Sequence, residues 1–184
     1  MEDHNDLMGS LANGDRRAFG QLYELFSDKV YNVALGYTQN EQDAEEVTQD
    51  VFVKVFHKAA QFKGEAKVST WIYRITVNVA LNLLKKRKRY SFLSFGKPVK
   101  EEIDFEHPGI LLERKEDAKV LFKAIHTLPE QQQTAFILSF VEGLPRQQVA
   151  DIMDTSLKAI EALLQRGKRN LRKSLGDLYY QRRK

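Results

Sequence analysis

Residues 62–89 read FKGEAKVSTWIYRITVNVALNLLKKRKR. The opening Lys63-Gly64-Glu65-Ala66-Lys67 has no apolar period, whereas from Val68 neither Gly nor Pro interrupts the chain for more than twenty residues. That contrast predicts a short polar loop followed by one long helix. With successive residues rotated by about 100° and Arg74 set at zero, Lys85, Asn78, Arg89 and Asn82 fall at about 20°, 40°, 60° and 80°. Ile75, Val79, Ile72 and Leu83 fall between about 100° and 180°. The helix therefore carries a narrow polar stripe beside a broad apolar face. Arg and Lys supply phosphate contacts, and Asn can both donate to and accept from a base edge, so the stripe has the chemistry of a nucleic-acid surface. Trp71 also lies on it, near 60°, where base stacking and simple packing are both open. The terminal run Lys85–Arg89 fits phosphate attraction or a solvated helix end whose cations offset the dipole.

The same period recurs on both sides. Phe19, Leu22, Tyr23, Phe26, Val30, Val33 and Tyr37 predict a core-facing helix over 15–38. Asn40 and Asp43, at capping spacing, open another helix to about residue 60, with Ala44, Val47, Val51 and Val55 inward. Asp43, Glu46, Gln49 and Asp50 are expected on its outer side, where Phe52, Val53 and Phe56 add apolar surface. Composition alone accounts for those acids by the helix dipole and for the aromatics by packing.

Residues 91–111 break the pattern with Gly96, Pro98, Pro108 and Gly109, and carry Glu101, Glu102, Asp104 and Glu106. They read as an acidic linker between a domain over 1–90 and a second over 112–184. Helices follow at about 112–126, 130–142, 146–153 and 156–174. Thr127 to Glu130 has the spacing of a capping box with Pro129 in the first turn, and Pro145 opens the next, short helix. That helix, with Val149, Ile152 and Met153 inward, the turn Asp154-Thr155-Ser156 and the longer basic helix have the proportions of a helix-turn-helix. In the last helix Leu157, Ile160, Leu164, Gly167, Leu171 and Leu175 lie within about 80° and form the expected buried stripe, Gly167 permitting close approach. Lys158, Ala159, Ala162, Gln165, Arg166 and Arg169 occupy the opposite face, where Gln165 can read an adenine edge and the arginines can take guanine or phosphate.

The 184 residues carry a net charge of +4, so any nucleic-acid surface must come from clustering rather than bulk charge. With no cysteine, disulfides and thiolate metal sites are excluded, and the four histidines lack ligand spacing. No catalytic constellation or cofactor motif is present, so neither a cofactor nor a metal is expected. The polar, acidic start and the lack of a long apolar run point to a cytoplasmic chain with no membrane insertion.

The order DAEEVTQDVFVKVF, FKGEAKVSTWIYRITVNVALNLLKKRKR, linker, then LPEQQQTAFILSFVEGLPRQQVADIMDTSLKAIEALLQRGKRNLRK closely resembles bacterial RNA polymerase sigma factors of the extracytoplasmic-function group. The resemblance spans nearly the whole chain. It implies an all-α protein of two small helical domains, a sigma-2 bundle and a sigma-4 helix-turn-helix, that binds core polymerase and directs it to promoters. It also reverses the reading of the second helix: Asp43, Glu46, Gln49 and Asp50 would dock on the clamp of the largest polymerase subunit.

The loop Phe62, Lys63, Gly64, Glu65, Ala66 and Lys67 would capture a flipped base of the minus-10 element. Ser69, Trp71, Arg74, Asn78, Asn82, Lys85, Lys86 and Arg89 would hold the opening duplex. Ser156, Lys158, Ala159, Ala162, Gln165, Arg166 and Arg169 would serve the minus-35 element. The linker would thread toward the polymerase cleft. Glu161, Ala162 and Leu163 depart from the family pattern, which leaves the promoter sequence open. Members of the family are commonly held inactive by an anti-sigma factor, often membrane-anchored, though no residue here specifies one. The alternative, a free-standing helix-turn-helix regulator, leaves the acidic helix and the loop unexplained.

Overall fold

The computed structural model describes the backbone of residues 4–93 and 115–182, and the side chains of 4–90 and 118–176. Among the described residues there are eight α-helices and no strand. The chain divides into two compact units. The acidic residues 101, 102, 104 and 106 of the expected linker lie outside the described residues.

The first unit contains α1 (His4–Ala12), α2 (Arg16–Thr38), α3 (Glu41–Lys58), a single 3-10 turn (Ala59–Gln61) and α4 (Val68–Leu93). Helix α2 starts where the Arg17 N–H donates to Asp15 Oδ1 at 2.8 Å, satisfying one of the amide donors that a helix N-terminus leaves without an intrahelical acceptor. It buries Leu22, Phe26, Val30, Val33 and Tyr37. Ala44, Val47, Val51, Phe52 and Val55 of α3 are buried, as are Val68, Ile72, Tyr73, Val79 and Ala80 of α4. Two hydroxyls enter this apolar interior by turning back on their own helices. Thr48 donates to the Ala44 carbonyl at 2.7 Å and Thr76 to that of Ile72 at 2.9 Å, so neither is buried without a partner.

Two features depart from the periodic reading. Helix α1 forms in a segment that looked merely polar and acidic, burying Leu7, Met8 and Leu11 against α2, the 3-10 turn and α4. Nine residues are too few to hold a helix by propensity, so tertiary packing stabilises this one. Tyr23, expected in the core with Phe19, is 44% exposed, and Phe19 is only half-buried. Tyr23 sits about 100° from Leu22, at the edge of the apolar stripe. Its ring covers Phe52 of α3 at 4.6 Å, and Phe19 meets the edges of Phe52 and Phe56 at 6.3 and 5.5 Å.

The second unit contains α5 (Lys115–His126), α6 (Glu130–Phe136), a π turn continuing it (Ile137–Val141), α7 (Arg146–Ile152) and α8 (Leu157–Arg182). Helices α5, α6 and α7 all pack on α8. The core joins Phe122 and Ile125 of α5, Ala135 of α6, Ile137 and Leu138 of the π turn, Val149 and Ile152 of α7, and Ile160, Leu164 and Leu171 of α8.

The expected capping box does not form. Pro129 itself is the N-cap of α6 and offers no side-chain cap, while Thr127 donates to the Ala124 carbonyl at 2.7 Å and closes the end of α5 instead. Pro145 takes the same N-cap position before α7. Leu157 is 40% exposed rather than buried, whereas Leu163 is buried. Both follow from one rotation. The buried stripe centres near Ile160 and Leu171, which leaves Leu157 at one margin and brings Leu163 inside the other. The close approach expected at Gly167 is ordinary van der Waals contact: a Cβ there would stand 3.7 Å from Phe136 Cδ2, its nearest neighbour.

Candidate polymerase and nucleic-acid interfaces

Between the 3-10 turn and α4 the chain leaves helical geometry for six residues, 62–67. Gly64 has φ +73°, a region that costs an L side chain energy, so the one glycine of the loop sits where the backbone requires it. Lys63, Gly64, Glu65 and Lys67 are exposed, and Phe62 and Ala66 are half-buried. The Phe62 ring meets Trp71 edge to face at 5.6 Å. One turn into α4, the half-buried Trp71 thus props the start of the loop, which favours packing over base stacking for its ring face. Ser69 beside it is half-buried.

Along α4 the expected stripe is present. Arg74 is half-buried, and Asn78, Asn82, Lys85, Lys86 and Arg89 are exposed, while Ile72 and Val79 face inward. One cation of the terminal run behaves differently. Arg87 Nη2 donates to Asp43 Oδ1 in an ion pair that joins α4 to α3. Asp43 is 5% exposed, so the expectation that it points outward with the other acids is corrected. It lies about 40° from the inward Val47, at the margin of the core stripe, and Arg87 supplies the counter-charge that a buried carboxylate requires. Glu46, Gln49 and Asp50 are exposed as expected. Val53 and Phe56 beside them are 54% and 42% exposed, an apolar pair within an acidic surface.

In the second unit Asp154, with φ +50°, turns the chain between α7 and α8, and the Thr155 N–H reaches the Ala150 carbonyl at 3.0 Å. Ser156 Oγ accepts the Ala159 N–H at 3.2 Å and caps α8. Lys158, Ala162, Gln165, Arg166 and Arg169 are exposed and Ala159 is half-buried, so this surface of α8 is assembled as the spacing implied. Small side chains at 159 and 162 leave the surface of the first turns low, with longer polar ones framing it, a shape that a duplex could approach. Of the three residues that depart from the family pattern, Leu163 belongs to the core and Glu161 lies 3.7 Å from Arg146 of α7. Lys168 is also engaged within the unit, its Nζ 5.1 Å above the ring of the half-exposed Phe140.

A family model described as Sigma-70 region 2 matches residues 22–90, and one described as Sigma-70, region 4 matches residues 119–171. The chain belongs to the sigma-70 family, in its extracytoplasmic-function group. Its match to the extracytoplasmic-function RNA polymerase sigma-E factor of Haemophilus influenzae is 28% identical and covers 94% of this chain and 95% of that protein. The RNA polymerase sigma-H factor of Pseudomonas aeruginosa is 27% identical, with 96% of each chain covered. SigW of Bacillus subtilis is 26% identical over 90% of this chain and 92% of its own.

Two solved structures share the fold. CnrH in complex with the cytosolic domain of CnrY has a TM-score of 0.69 at 23% identity, covering 94% of this chain and 97% of that one. The sigma factor RpoE with the anti-sigma factor NepR, from Bartonella quintana, has a TM-score of 0.68 at 22%, covering 86% and 96%. This sigma factor is not an enzyme; it directs RNA polymerase to promoters. Among the described residues no helix is long and apolar enough to cross a membrane.

Proposed function

We propose that the two units divide promoter recognition, the first (1–90) docking on polymerase and opening the minus-10 element, the second (112–184) reading the minus-35 element. The observation that carries this is the separation of chemistry within the first unit. Acidic, amide and apolar side chains, Glu46, Asp50, Gln49, Val53 and Phe56, share the exposed side of α3, while Arg74, Asn78, Asn82, Lys85, Lys86 and Arg89 run along α4. A protein that used DNA alone would have no use for an acidic surface beside its basic one, because phosphate repels it. The acidic side of α3 therefore suits the clamp of the largest polymerase subunit, and the α4 stripe suits DNA.

The loop 62–67 takes the flipped minus-10 base. Its glycine turn, braced by Phe62 on Trp71, gives a preset rim whose new contacts offset the lost stacking. Helix α8 lies in the major groove with Lys158, Gln165, Arg166 and Arg169 toward the bases and phosphates. The protein acts in the cytoplasm in response to a stress or other signal. An anti-sigma factor that covers the same two surfaces holds it inactive; a sigma factor in complex with an anti-sigma factor is what the RpoE–NepR structure is named for. Run-off transcription from purified core polymerase, with sequencing of transcript starts, tests the reading. Defined starts that need both core and this chain support it, and promoter-selective DNA binding with no effect on core would replace it with a free-standing regulator.

A further inference from the structure

Asp43 and Arg87 stand 44 positions apart in the chain, on helices to which the proposed function gives different work. At about 100° per residue from Arg74, Lys85, Lys86, Lys88 and Arg89 fall at about 20°, 120°, 320° and 60°, and Arg87 at about 220°. Arg87 thus points away from the Arg74–Asn82 stripe, toward the side of α4 that carries Tyr73 and Ala80 into the core. Among the residues whose side chains are described, the burial that secures α4 ends before it. Ala80 is fully buried, Leu83 and Leu84 are half-buried, and every residue from Lys85 to Tyr90 is exposed. Five consecutive cations at that end repel one another, and none of the described side chains from 85 to 90 is buried to fix the helix. The carboxylate of Asp43 is buried, whereas the Arg87 side chain is 44% exposed, so the anchored partner is the acid and the held one is the helix end.

We propose that the Asp43–Arg87 pair is a positioning device: it fixes the basic end of α4 on the docking helix α3, so that a polymerase-held protein can strain duplex DNA without its own track giving way. The inference rests on the proposed docking of α3 and DNA role of α4. Neither residue of the pair touches polymerase or DNA. Asp43 is enclosed and Arg87 faces α3. The four remaining cations supply the attraction, and the pair supplies the stiffness that turns attraction into melting.

The test uses the full chain with purified core polymerase and one promoter in two forms, fully duplex and with the minus-10 region already unpaired. The variants are Asp43→Asn, Arg87→Ala, their combination, and Arg87→Lys. Core affinity within about twofold of wild type is expected for all four, with open complexes on the duplex reduced about tenfold for the first three. On the unpaired promoter they should recover to near wild type. The double variant should be no worse than either single one, because both remove the same link, and Arg87→Lys should restore part of the loss.

Several results would overturn the inference. Equal defects on both promoters, or lower thermal stability that accounts for the loss, would leave the pair a structural contact. If Arg87→Ala does not fold, the isosteric Asp43→Asn decides the same point. Tighter DNA binding by Asp43→Asn would make the pair a restraint, and a salt slope lowered by about 0.9 in Arg87→Ala would make Arg87 a phosphate ligand. Weaker core binding by Asp43→Asn alone would place Asp43 in the docking surface. Wild-type protein that opens no promoter with core would overturn the proposed function and this inference together; wild-type success with unaffected variants would overturn the pair alone.

Discussion

Replacing Gly167 by alanine should stabilise the second unit. Glycine inside a helix costs about 0.8–1.0 kcal/mol relative to alanine, because the unfolded chain has more conformations to lose. A new methyl group could cancel that gain by collision, so the surroundings decide the sign. The Cβ would lie 3.7 Å from Phe136 Cδ2, 3.8 Å from Gln132 Cβ and 3.9 Å from Leu128 Cδ1, all ordinary contact distances. The methyl group therefore enters a buried site without displacing backbone and adds up to about 0.8 kcal/mol of apolar burial. The sum is about 1–2 kcal/mol, which for a unit of this size raises the melting temperature by about 4–8 °C per kcal/mol.

Scanning calorimetry of the whole chain reads the shift. The single tryptophan, Trp71, belongs to the first unit, so its fluorescence gives an internal control that should not move. Minus-35 binding should also be unchanged, because Gly167 lies on the buried stripe of α8, about 160–180° from Lys158 and Gln165. A lower melting temperature for the second unit would refute the reasoning, since it would require α6 and α8 to sit closer than their packing indicates.

Glu46→Lys with Asp50→Lys should lower affinity for core polymerase about tenfold, measured by equilibrium fluorescence, because both groups are exposed and like charge then faces the proposed clamp partner. Melting temperature should stay constant to about 0.5 kcal/mol in stability, as for other surface changes. Removing Lys85, Lys86 and Arg89 together should flatten the dependence of log affinity on log salt by about 0.9 per phosphate lost, with every DNA sequence affected alike. Gln165→Ala should cost about 1–3 kcal/mol of discrimination at one minus-35 base pair, read by competition with single-substitution duplexes, and leave other positions untouched.

The helices that follow one another from α2 to α8 were legible because each repeats its apolar residues at three- and four-residue spacing over enough turns to define a face. Helix α1 was not, since its apolar residues are few and its stability comes from α2 and α4, neither visible from a nine-residue window. The margins of stripes misled for a related reason. Periodicity gives an angle, while exposure depends on where the neighbouring helix lies, as Tyr23 and Leu157 on the one hand and Leu163 on the other illustrate. The exposed faces of α4 and α8 and their nucleic-acid chemistry were read from spacing and residue type, and the family resemblance supplied the minus-10 and minus-35 roles assigned to them. Asp43 was beyond reach because its partner is 44 residues away. The one available signal was the angle of Arg87, which sets it apart from its four cationic neighbours.

The loop at 62–67 separates what must stay fixed from what is free to vary. Its path depends on Gly64 in a conformation closed to most residues and on the ring contact of Phe62 with Trp71. Lys63, Glu65 and Lys67 are exposed and carry none of that geometry. Under the base-capturing role proposed for the loop, mutation at those three positions explores new base preferences at little cost to folding, so promoter choice can drift in a lineage while the frame that presents it is inherited intact.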